Sequence, residues 1–242
     1  MQKILFTIII LITGFNPVKE AIYKPVAVLE LFTSQGCSSC PSADKLLGEI
    51  DKSYKQDEVI ALSYHVDYWN YIGWKDPFSH KDYSNKQRQY GSKFSSSSIY
   101  TPQVVINGEE HFVGSKRDVM YSKIKTYLEK KSLNEIVISN LSNTNGLVRI
   151  DYDVKGDVDA KKIRIVLAIK ERVTAVGRGE NRNRVLKNYN IVVNEVTANL
   201  TASHGKAEIS IPEIVENTDK LVLVALVEHS NLGVTAGAKV KL

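Results

Sequence analysis

The chain of 242 residues has two cysteines, and both lie in one Cys37-Ser38-Ser39-Cys40 motif. A scaffold held by several disulfides is therefore excluded, and a fold of this size has to rest on its hydrophobic core. What flanks the pair narrows the choice further. Before it, Val26-Ala27-Val28-Leu29-Glu30-Leu31-Phe32 is an apolar run broken by one carboxylate, the pattern of a buried central strand. After it, Pro41 opens a segment in which Ala43, Leu46, Leu47 and Ile50 recur at helical spacing. A second apolar run from Val59 to Val66 reads as a strand parallel to the first, because the intervening helix supplies the crossover.

The pattern continues through an aromatic stretch and a helix predicted over 82–94. Thr101-Pro102 then leads into a hairpin, with Asn107-Gly108 as the turn between strands 103–106 and 109–113. A closing helix is predicted over 117–131. Beyond it the period changes to two, and segments 135–141, 146–154, 162–170, 190–200, 206–211, 221–228 and 236–242 all read as strands. The expectation is an α/β domain over 22–132 followed by an all-β, sandwich-like domain over 133–242.

At the N-terminus, Lys3 precedes an apolar run from Ile4 to Ile12, which has the length of a signal-peptide core and is too short to span a bilayer comfortably. A signal peptide over 1–21 is expected, with a periplasmic or secreted protein and no membrane span after its removal; the alternative is an uncleaved N-terminal anchor, since no small-x-small cleavage pattern follows the apolar run. The formal charge of +5 is interleaved with acidic residues along the chain. Only Arg178, Arg182, Arg184 and Lys187 gather, which is too little for a nucleic-acid footprint.

A Cys-x-x-Cys at the first turn of a helix is chemically privileged, because unpaired N–H groups and the positive helix end stabilise a thiolate. Cys37 reads as the nucleophile and Cys40 as the resolving thiol. Half of a zinc site would need two further ligands, but there is no third cysteine and no His-x-x-x-His pair. Glu30 is either a buried acid that shuttles a proton to Cys40 or a strand-end ion pair, and the alternation of side chains along a strand decides which. His65 and Asp67, two apart near the end of the second strand, read as a His–carboxylate pair close to Cys37, with a plain core histidine as the other choice. Cys37, Cys40 and His65 also form a soft ligand set suited to Cu(I), which makes copper binding the alternative function. Tyr68, Trp69, Tyr71, Trp74 and Phe78 are either a lip for an unfolded chain or a packed cap. Arg178, Glu180, Arg182 and Arg184 make a charged loop between strands that either binds an anion, docks one domain on the other, or is a solvated turn.

In this order, strand, Cys-x-x-Cys helix, strand, helix, Thr-Pro, Asn-Gly hairpin and final helix resemble the thioredoxin superfamily over 26–131. More narrowly, the segments 30–41, 64–69, 73–78 and 100–103, together with Gly179-Glu180-Asn181-Arg182-Asn183-Arg184-Val185-Leu186, resemble the bacterial secreted family called domain of unknown function 1223. The resemblance implies a thioredoxin-like first domain and an exported thiol–disulfide oxidoreductase that acts on protein thiols, with a protein redox partner and no cofactor. It also implies that Pro102 is the superfamily's cis-proline and that Thr101 presents its backbone to substrate. The β-rich half is expected to serve as a partner platform and to contribute no catalytic residue.

Overall fold

The computed structural model describes residues 23–242, so the expected signal peptide lies outside the described residues. Strand β1 (Ala27–Thr33) is buried along its whole length and leads through a tight turn into α1 (Pro41–Ser53). Strand β2 (Val59–His65) returns parallel to β1, with Thr33 opposite His65. Helix α2 (Lys81–Lys93) follows, then the hairpin β3 (Gln103–Ile106) and β4 (Glu110–Val113), then α3 (Arg117–Leu128). The remainder is β5 (Glu135–Thr144), β6 (Leu147–Lys155), β7 (Lys161–Ala175), β8 (Val185–Asn199), β9 (His204–Ser210), β10 (Leu221–His229) and β11 (Val234–Lys241).

These strands do not form an α/β thioredoxin-like domain followed by a separate sandwich. Of the described residues 45% are strand and 19% helix, and one eight-stranded mixed sheet runs in the order β11-β10-β7-β8-β2-β1-β3-β4, straight across the expected boundary. The physical reason lies in β2 and β8. Both faces of β2 are covered, so the polar backbone on its free edge needs a partner, and β8 supplies one through Ser63 opposite Ile191. The apolar runs of β7 and β10 point the same way. Nine consecutive positions of β7 include eight buried ones, and eight consecutive residues of β10 are buried. Strands covered on both faces belong to the middle of a layered sheet.

Three layers result. On one face of β1–β3, α1 and α3 bury Leu29, Leu31, Ala61, Val104 and Ile106. Further along that face a three-stranded sheet, β5-β6-β9, covers Ile163, Ile165, Leu167, Leu223 and Ala225. On the opposite face α2 packs Tyr83 and Tyr90 over Val28, Phe32, Leu62 and Tyr64. Among the described residues no helix is long and apolar enough to cross a membrane.

The joint between the two halves is tight at Gly48 of α1, where an added Cβ would stand 2.5 Å from the ring of Tyr189 on β8. Gly48→Ala is therefore expected to destabilise the protein by about 1–2 kcal/mol in a urea melt, the overpacking cost exceeding the roughly 1 kcal/mol that alanine adds to a helix interior. A melt showing a stabilised variant would contradict that packing.

Candidate functional site

Cys37 and Cys40 are joined as a disulfide at the start of α1. Cys40 occupies the cap position and Pro41 the first helical turn, where its missing N–H costs nothing. The pair stands beyond the end of β1, at the edge where β2 also ends. Both cysteines are buried, at 1% and 0% exposure, although Ser38 and Ser39 between them are exposed. The Ser39 hydroxyl lies 3.3 Å from Cys37 Sγ.

A buried polar cluster lies behind the disulfide. Asp44 follows Cys40 by four residues, one helical turn on, so the two side chains share a face of α1. The Thr33 hydroxyl donates to Asp44 Oδ2 at 2.9 Å. Burial pushes the Asp44 carboxyl up to about 6, against the pull of the nearby His65 charge and the Thr33 hydrogen bond. His65 Nδ1 is 2.7 Å from Asp76 Oδ2, and that carboxylate also accepts from the backbone N–H of Gln35 at 2.8 Å, while its second oxygen accepts from Phe78 N–H. Burial, the largest single influence, would lower the His65 pKa, but the Asp76 charge, the hydrogen bond to it and the Asp44 charge together outweigh it and the net direction is upward. Asp76 moves the opposite way for the same reason, its burial outweighed by His65. Asp44 Oδ1, Ser63 Oγ and His65 Nε2 are buried with no hydrogen-bond partner among the described residues. This cluster can hold and pass a proton beside Cys40.

Several sequence expectations are placed differently. Glu30 does not reach the cysteines. It shares the α2 face with Val28 and Phe32, where it accepts from Tyr90 and pairs with Arg164 of β7, whose Nε also holds Glu228 at 3.0 Å. The one-residue offset between Glu30 and the α1-facing positions Leu29 and Leu31 decides this. Burial of Glu30 is outweighed by the Arg164 and Lys86 charges, so its carboxyl stays below the usual range and is unsuited to shuttling protons near neutrality. Asp67 pairs with Ser84 rather than His65, because the strand has ended at residue 65 and its two-residue alternation no longer applies. The partner of His65 comes instead from Asp76, in the following loop.

The Thr101–Pro102 bond is cis. Thr101 Oγ1 accepts from the Trp69 indole at 2.8 Å, and Trp69 also lies against Gly36 beside the motif, so Thr101 stands at the same end of the sheet as Cys37. The aromatic stretch is mainly a cap. Trp74 donates to Gln35 Oε1 at 3.2 Å, Phe78 stacks edge-on against His65, and Tyr71 alone is largely exposed, at 83%. With Cys37 and Cys40 joined as a disulfide, no three His, Cys, Asp or Glu side chains among the described residues are grouped to hold a metal ion.

The β-rich half reaches the motif through the charged loop. The buried Asn181, in the loop between β7 and β8, donates from Nδ2 to the carbonyls of Gln35 and Cys37, both at 2.9 Å. Glu180 Oε2 accepts from the Ser38 N–H at 3.0 Å, and Asn188 Oδ1 accepts from Gln35 Nε2 at 3.1 Å. The clustered charge at residues 178–184 was the available signal for this loop. Its contacts, about 140 residues away in sequence, left no local trace.

A crystal structure of a protein from Agrobacterium tumefaciens is similar over 91% of this chain and 95% of its own, with a TM-score of 0.67 and 24% identity, a likeness of fold alone. A DUF3823 family protein from Bacteroides ovatus aligns over 44% of this chain and 52% of its own at 16% identity, with a TM-score of 0.30, too slight to carry an argument. No curated protein matches the sequence. The family model described as "Protein of unknown function (DUF1223)" matches residues 28–228, and to that family this chain belongs.

Proposed function

We propose that the protein is an exported thiol–disulfide oxidoreductase, periplasmic or secreted, that exchanges electrons with protein thiols or disulfides through Cys37 and Cys40. One observation carries this reading: the chain's two cysteines are bonded to each other at a helix start, with a titratable carboxyl one turn behind the inner sulfur. A purely structural three-residue loop needs no such acid. The reading keeps the chemistry implied by the resemblance to thioredoxins and leaves their fold aside.

In the reduced state Asp44 takes the proton of Cys40, and His65, held by Asp76, sets the charge that Asp44 feels. Cys37 thiolate attacks a substrate disulfide, forming a mixed disulfide and releasing one substrate thiolate. Cys40 thiolate then attacks Cys37 Sγ, closes the internal disulfide and releases the second thiolate. Two electrons pass to the substrate, and a partner dithiol restores the pair. Running the steps backward oxidises a substrate dithiol. Thr101, at the rim beside Trp69, is placed to present its backbone to the substrate chain.

Cys40→Ser is expected to trap mixed disulfides on Cys37 with proteins of the native compartment, visible as reducible adducts on a gel, whereas Cys37→Ser traps none. Equal trapping by both variants, or none by either together with no equilibration of the wild-type disulfide with glutathione, would reject the reading.

A further inference from the structure

The β7–β8 loop is built as a unit. Val176 N–H donates to Arg184 O, Asn183 N–H to Val176 O, and Arg184 N–H to Asn181 O, so residues 176–184 close on themselves. Gly179, at φ +74°, lies against Ile72 and Trp74, where a Cβ would approach both within about 3.3 Å. Arg184 Nη1 donates to Asn181 Oδ1 at 2.6 Å and fixes which way that amide points. The loop thus presents two groups to the motif: an amide that holds the carbonyls of Gln35 and Cys37, and a carboxylate on the Ser38 N–H.

Those contacts have an electrostatic consequence. A thiolate at Cys37 would draw on the unpaired N–H groups at the start of α1 and on the positive helix end. The Ser38 N–H lies in the turn that leads from Cys37 to α1, and Glu180 already occupies it with a full negative charge one residue from the sulfur. Ser38 in turn holds the Glu180 carboxyl below the usual range, so it stays ionised wherever a thiolate could form.

Resting on the function proposed above, we infer that the β7–β8 loop sets the redox direction of the pair: Asn181 positions the Cys37 turn, and Glu180 disfavours its thiolate, so that the disulfide is the preferred state and the reduced protein acts as a reductant of protein disulfides. A dithiol pair is oxidising when its reduced form is stabilised and reducing when it is not. The electrons come from a partner dithiol and pass to the substrate in the two steps already written, with one proton accompanying each thiolate released.

Other charged groups belong to the elements around the motif. From the loop after β2, Asp76 accepts from Gln35 N–H; from β2, His65 pairs with Asp76; from α1, Asp44 lies four residues after Cys40; and Arg178, Arg182 and Arg184 share the β7–β8 loop with Glu180. Of the charged side chains in that last loop, Glu180 is the one bonded to the motif, at the residue next to Cys37.

Glutathione equilibration of the full-length protein, with the Cys37 alkylation rate followed against pH, tests this. Glu180 is exposed, so Glu180→Gln leaves the core untouched. It is expected to lower the Cys37 thiolate pKa and shift the equilibrium toward the reduced protein about three- to tenfold, the effect of one partly screened charge nearby. Arg182→Gln, a change in the same loop with no bond to the motif, is expected to leave the constant within about twofold. An unchanged constant in Glu180→Gln, or an equal and opposite shift in Arg182→Gln, would overturn the assignment while leaving disulfide exchange intact. A wild-type protein that never equilibrates with glutathione would instead reject the exchange itself.

Discussion

Asp44→Asn is expected to make the protein more stable at neutral pH and slower in disulfide exchange. Burial holds this carboxyl at about 6, above the roughly 3.9 of an unfolded chain, so the folded state binds the proton more tightly. Its penalty is absent below about pH 4, grows through the window between the two values, and is complete above about pH 6. A shift of two units corresponds to about 3 kcal/mol, and an uncharged amide of the same shape escapes most of it. Urea melts should therefore show the variant ahead of the wild type by about 1–3 kcal/mol at pH 7, with the gap closing toward pH 4. Resolution of a mixed disulfide by Cys40 should fall about a hundredfold, the usual cost of losing a positioned proton acceptor. A variant that is slower but less stable at pH 7 would mean that Asp44 is a structural ion rather than a strained one.

The second large effect is expected at Arg164, which is fully buried and satisfies Glu30 and Glu228 together, with the Tyr64 hydroxyl 2.9 Å from its Nη1. Removing one partner from a buried ion cluster leaves unpaired charge in a medium of low polarity. Arg164→Met should cost about 3–5 kcal/mol at pH 7. In the wild type the depressed Glu30 contributes stability that is complete above its unfolded value and is lost as pH falls through the lower folded value. In the variant burial dominates and the same carboxyl rises, so its deficit should shrink as the buffer is taken from pH 7 to pH 5. A deficit independent of pH would show that lost packing, and not stranded charge, is responsible.

How much of this was legible in the sequence depends on the range of the interaction. The turn at Cys37, the helix opened by Pro41 and the Asn107-Gly108 hairpin are set by neighbours within a few residues, and they stand where the sequence places them. Glu30 was identifiable as buried, but its partner was not, since Arg164 is 134 residues away. Asp44 carries no mark in the sequence apart from its spacing of four from Cys40. An acid in the first turn of a helix is ordinary, so nothing local sets it apart. The continuous apolar runs in β7 and β10 did carry a signal for a sheet covered on both faces. Period-two segments elsewhere in that half overrode it and suggested a detached sandwich.

The pairing of β2 with β8 also governs the order in which the site can come into being. Asn181 lies 146 residues beyond the carbonyl it holds at Gln35. At ordinary rates of synthesis that stretch takes roughly ten seconds to emerge. Throughout that interval β2 lacks its outer neighbour, and the turn around Cys37 has neither its amide clasp nor the Glu180 carboxylate. The nascent thiols are therefore uncovered and electrostatically unopposed, so this is the stage at which an oxidant meets them most readily. Completion of the chain then brings the β7–β8 loop onto the turn around Cys37.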